Sequence, residues 1–144
     1  MTFRPLLAAA AASVALLAIP VLTGCSAVDD ALHSETELHF DDVSAMAGNW
    51  DRSAPWIPAD ARDIRIHESD SGRVAQVRMD SDEDVPAGCV PVERKSLPVF
   101  VTDWTPEDVV GIDTVRVCGD WAIAEVDGGW FGWTPTSPAE TPVS

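Results

Sequence analysis

The residues of this chain that could do chemistry are its three cysteines, three histidines and six tryptophans. A thiol can bond to another sulfur, hold a metal, attack a substrate or accept a modification. Cys25 closes the tetrapeptide Leu22-Thr23-Gly24-Cys25, whereas Cys89 and Cys118 are widely spaced and lack the Cys-x-x-Cys signature of redox and zinc pairs. His67 stands beside Glu68 and is a candidate general base, but neighbours on a strand face opposite ways, so a nucleophile has to come from elsewhere in the fold. His33 and His39 are close enough in sequence to join Asp41 or Asp42 at a metal. Asp80, Asp82 and Asp84 have the first spacings of a calcium loop. Val85 occupies the place of its glycine and Pro91 that of its closing glutamate, so a solvated acidic loop is expected. No Gly-x-Ser-x-Gly, phosphate-loop or His-Glu-x-x-His motif is present. The expectation is a non-enzyme with no catalytic residue, metal or cofactor.

Six tryptophans and no tyrosine is an unusual ratio for a short chain. Exposed indoles stack on sugar faces and on apolar or cationic ligands, whereas buried ones fill a core short of large aliphatics. Trp130 and Trp133 fall on opposite faces of one strand, so at least one is expected to point away from the main core. With Trp56 from a proline-rich loop, they are the candidate ligand-contact residues.

Residues 1–25 have the parts of an export signal. Arg4 supplies a positive start, Leu6 to Ile19 is an apolar run broken only by Ser13, and Pro20 interrupts it before the cleavage region. The run is shorter than the roughly 20 residues a spanning helix needs. Leu22-Thr23-Gly24-Cys25 resembles the lipobox of bacterial lipoproteins. The resemblance implies that 1–24 is a signal peptide, that Cys25 receives a lipid, and that the mature chain is extracytoplasmic and anchored to the outer face of the cell membrane. Two acyl chains hold stably where one is marginal, at about 0.8 kcal/mol per buried CH₂.

The mature chain then has 120 residues, eight basic and 24 acidic, for a formal charge of −16. Such a surface repels nucleic acid, anionic lipid heads and acidic polymers. Beyond the membrane itself, an envelope protein or a wall glycan is the expected partner. In that oxidising compartment Cys89 and Cys118 read as a disulfide closing a loop of about 29 residues, worth roughly 3–4 kcal/mol. The sharper alternative is a metal-binding or catalytic thiol pair. Trp56-Ile-Pro-Ala-Asp-Ala-Arg-Asp-Ile64, the two cysteines and Gly132-Trp-Thr-Pro135 together resemble small lipoproteins of actinobacteria. That resemblance implies no catalytic residues.

The elements that position these residues are short. Residues 25–37 are expected to be a lipidated start and flexible tether, 38–134 a disulfide-stapled β-rich domain, and 135–144 a disordered proline-rich tail. A short helix or turn is expected over 40–47, capped by Asp41 or Asp42 and ended by Gly48. Ile64 to His67 and Val74 to Met79 alternate as a hairpin around Asp70-Ser-Gly72. Leu97 to Val101 reads as an edge strand or strand start, and Thr105-Pro106-Glu107-Asp108 as a helix start that Gly111 stops. Thr114 to Cys118, Trp121 to Val126 and Trp130 to Trp133 read as strands, the last two joined at Asp127-Gly-Gly129. The sum is a mainly β domain, with a small α+β arrangement as the variant: an antiparallel sheet of five or six short strands, one or two short helices and one disulfide. The function expected is a membrane-anchored binding module. The alternatives are a small envelope enzyme using His67 and nearby carboxylates, and a structural or inhibitory lipoprotein.

Overall fold

The structure is a computed structural model that describes residues 34–140. The lipobox, Cys25 and His33 lie outside the described residues. The alternating segments pair into one antiparallel sheet of seven strands: β1 (Glu35–Asp42), β2 (Arg62–Ser69), β3 (Ala75–Asp80), β4 (Val90–Glu93), β5 (Thr114–Cys118), β6 (Trp121–Val126) and β7 (Gly129–Thr134). Their order across the sheet is β1-β2-β3-β7-β6-β5-β4. One short helix, α1 (Val43–Ala47), follows β1, with the Asp42 carboxylate accepting the Ala45 N–H at 2.8 Å as its cap. Two 3-10 turns, Val109–Gly111 and Pro138–Glu140, complete the regular structure.

Both faces of the sheet are buried, and irregular polypeptide covers each. One face carries Ile64, Ile66, Val77, Met79, Trp121, Ile123 and Trp130, roofed by Trp50 and Trp56. The other carries Val115, Ala122, Ala124, Phe131 and Trp133, roofed by Trp104 and Val109. This two-sided burial explains the composition of β7, which is apolar on both faces and buried along its whole length. Gly132 lies under Trp56, and a methyl group there would stand 2.5 Å from the indole Cζ2. Gly128, at φ 80°, supplies the left-handed residue that the β6–β7 turn needs.

Cys89 and Cys118 are bonded, with Cα atoms 4.5 Å apart. The bond continues the β4–β5 register, in which Val90 faces Val117, and so staples the edge strand to the sheet.

Several expectations need correction. The sheet has seven strands where five or six were expected, and β1 and β4 were not among the segments read as strands. Residues 35–37 belong to β1 and not to the tether; their acidity suits a free edge washed by solvent. Leu97 to Val101 makes no ladder and is a loop with a bend at Val99. Thr105 to Asp108 starts only turns, leading to the 3-10 turn at 109–111. The segment 135–140 is ordered by contacts of Glu140, so the tail assignment fails there.

Candidate functional site

From Pro91 to Thr102 exposure alternates without a break: odd residues face water and even residues face the sheet. Period-two alternation is what an extended backbone imposes. Outward side chains therefore form a row, Lys95, Leu97, Val99, Val101 and Asp103, with apolar residues at its centre. Leu97 is 44% exposed, Val99 61% and Val101 91%; Val110, on the same covering segment, is 66% exposed. Among the described residues the other exposed large hydrophobic is Val90. The apolar surface is thus concentrated on one segment.

That segment is held from beneath. Glu140 is 1% exposed, and its carboxylate accepts four hydrogen bonds. Oε1 takes the N–H groups of Lys95 at 2.6 Å and Ser96 at 2.8 Å; Oε2 takes the Ser96 hydroxyl at 2.7 Å and the Ser137 N–H at 2.8 Å. Burial alone pushes this carboxyl's pKa up, but the four donors outweigh it and hold the pKa below the ordinary glutamate value. The Trp133 indole N–H donates to the Ser96 hydroxyl at 2.9 Å. Arg94 donates to the carbonyls of Ser96, Val110 and Ile112, which joins the row to Val110. Phe100 turns inward onto His67, with ring centroids 4.5 Å apart. Buried Gln76 donates to the Thr102 and Thr105 hydroxyls.

The sequence-predicted contact residues lie elsewhere. Trp56, Trp130 and Trp133 are 1%, 5% and 0% exposed, so they are core residues and present no stacking surface. Trp130 and Trp133 do occupy opposite faces, but each face has its own core. The Trp130 N–H donates to the Glu83 carbonyl, and the Arg116 guanidinium sits 5.4 Å from the Trp130 ring centroid.

His67 meets Glu35 through Nε2 at 2.7 Å, while its Nδ1 is buried and makes no hydrogen bond. A general base relayed to a nucleophile needs a carboxylate on one ring nitrogen and a hydroxyl or thiol on the other. Here the second nitrogen has no such contact, and Phe100 packs on the ring. His39 pairs with Asp63 at 2.6 Å, not with Asp41 or Asp42. The Asp80–Asp84 loop directs Asp82 to Arg62 and Asp84 to Arg116, while Asp60 accepts from the Ser81 hydroxyl and the Asp82 N–H. These hydrogen bonds lower the Asp60 pKa, the Ser81 bond most. Among the described residues no three His, Cys, Asp or Glu side chains converge as metal ligands.

A cleft of about 390 Å³ lies over the Asp82–Asp84 loop, Arg116, Glu125 and Trp130. It is a polar groove whose cation already pairs with Asp84 at 3.0 Å. Among the described residues no helix is long and apolar enough to cross a membrane. No family model, curated protein or solved structure matches this chain.

The row was legible in the sequence as an apolar run, Leu97-Pro-Val-Phe-Val101. Its meaning was missed because a lone extended segment and a sheet strand share the same period.

Proposed function

We propose that this chain is a lipoprotein of the bacterial envelope: Cys25 carries the lipid, and the stapled sheet is a non-enzymatic interaction module on the outer face of the cell membrane. The observation that supports the module is the fixed apolar row. Exposed hydrophobic side chains on a segment clamped by a buried carboxylate form a preorganised contact surface. The row is aliphatic and has no ring to stack on a sugar, so it favours an apolar partner over a wall glycan. The observation that supports the anchor is cysteine arithmetic. With Cys89 and Cys118 bonded to each other, Cys25 is the odd thiol, and it follows the lipobox residues.

Expression of the full chain in a host with lipoprotein processing tests this reading. The expected product is a membrane-bound chain beginning at residue 25, heavier by a diacylglyceryl group, and Cys25→Ser abolishes the modification. An unmodified Cys25 in the wild-type chain overturns the anchor.

A further inference from the structure

We propose that the outward row Leu97, Val99 and Val101, with Val110 beside it, is a second membrane contact that lies against the lipid surface to which Cys25 ties the chain. This rests on the lipoprotein reading above and names the partner of the exposed row.

The argument begins with where the anchored end of the sheet is. Nine residues separate Cys25 from Glu35, where β1 starts. A connector of that length reaches at most about 35 Å and spans on average about 15–20 Å when flexible. Glu35 is therefore held within about 35 Å of the lipid on Cys25. Two contacts lead from it to the row. Glu35 meets His67 at 2.7 Å, and His67 carries the ring of Phe100 at 4.5 Å. Phe100 is the inward residue between outward Val99 and Val101. The exposed aliphatics thus lie beside the strand end at which the connector to Cys25 joins the sheet.

Tethering changes what such a small surface can do. A connector of about ten residues gives an effective concentration on the order of millimolar, so a contact with a millimolar dissociation constant is about half occupied. The chemistry of the row fits lipid. Its centre carries no carboxylate; the outward series is acidic only beyond its ends, at Glu93, which pairs with Lys95, and at Asp103. The rest of the surface is acidic, so the contact favours zwitterionic over anionic headgroups and depends little on salt. A second copy of the chain fits less well, because two such acidic domains repel.

The test uses the full lipidated chain in phosphatidylcholine vesicles. With Cys25 acylated and Cys89 bonded to Cys118, Val99→Cys introduces the one free thiol, which takes an environment-sensitive fluorophore. The control label goes at exposed Ala59, on the loop whose neighbour Asp60 binds Ser81. The expected result is a blue-shifted emission at position 99 that shallow spin-labelled lipids quench, with water-like emission at position 59. Val101→Asp in the labelled chain removes the shift, and added phosphatidylglycerol weakens it. Water-like emission at position 99 on a chain whose mass shows acylated Cys25 overturns the contact and leaves the anchor standing. A bare Cys25 overturns both. Protection of position 99 that appears without vesicles and grows with protein concentration assigns the row to a second copy and also overturns the lipid contact.

Discussion

Replacing Glu140 with alanine removes the acceptor of four hydrogen bonds at once, those from Lys95 N–H, Ser96 N–H, the Ser96 hydroxyl and Ser137 N–H. A buried donor left without a partner costs about 1–3 kcal/mol. The lost bonds are charge-assisted, but removing the carboxylate also removes its own desolvation cost, and donors nearest the surface regain water. A net loss of about 2–4 kcal/mol follows. For a domain of this size that is a fall in Tm on the order of 10–25 °C. Glu140→Gln keeps one acceptor oxygen and turns an NH₂ toward the other donors, so it falls between the two. The pH dependence gives a second reading. The folded carboxyl binds its proton less readily than it does in the unfolded chain, whose value is near 4.5. Its contribution is therefore complete above that value and is lost as pH falls through the lower folded value. Urea unfolding followed by tryptophan fluorescence, at neutral pH and in acid, measures both effects. The wild type should lose more stability than Glu140→Ala on acidification. An alanine variant within about 0.5 kcal/mol of wild type, or one equally sensitive to acid, refutes the clamp.

Gly132→Ala should cost about 1–3 kcal/mol in the same assay, because its methyl group has to displace the Trp56 ring. Reducing Cys89–Cys118, or replacing both with serine, should cost roughly 3 kcal/mol and loosen β4 first, visible as faster amide exchange at Val90 and Val92. Acrylamide should quench the folded protein's fluorescence poorly and the unfolded chain's strongly, since all six indoles are buried. A folded chain quenched like free tryptophan would place the indoles at the surface after all. Below the ordinary carboxylate range the β1–β2 region should also weaken. Burial raises the Asp63 pKa, but hydrogen bonds from His39 and Arg65 lower it further, and the stability they bring disappears as the pH drops through the depressed value. Urea unfolding of Asp63→Asn in acid and at neutral pH checks this: the variant should lose less stability on acidification than the wild type.

The elements read most readily from sequence were those whose alternation and turn chemistry agree. The β2–β3 hairpin and the β6–β7 turn at Asp127-Gly128 are of this kind. The disulfide was legible because two distant thiols remain once Cys25 is set aside. β1 was hidden by its composition: Glu35, Glu37, Asp41 and Asp42 look like a solvated linker, and Leu38 and Phe40 are its only large apolar residues. The tryptophans misled because periodicity places side chains on faces but says nothing of what covers a face. The 48–61 and 94–113 segments cover both. Glu140 was invisible in the sequence, since an acid near three prolines reads as tail; only the fold brings it beneath Lys95 and Ser96.

The outer edge of the sheet bears on crowding. β1 pairs only with β2 and offers its other side to any chain that drifts alongside. An open, greasy edge is a seed for runaway strand addition wherever copies meet often, as they would on the surface to which the proposed lipid on Cys25 ties them. Glu35, Glu37, Asp41 and Asp42 spread like charges along that border, so two molecules meeting edge to edge push apart before their backbones come into register. The acidity that disguises β1 as a linker is thus also what opposes strand addition at that border.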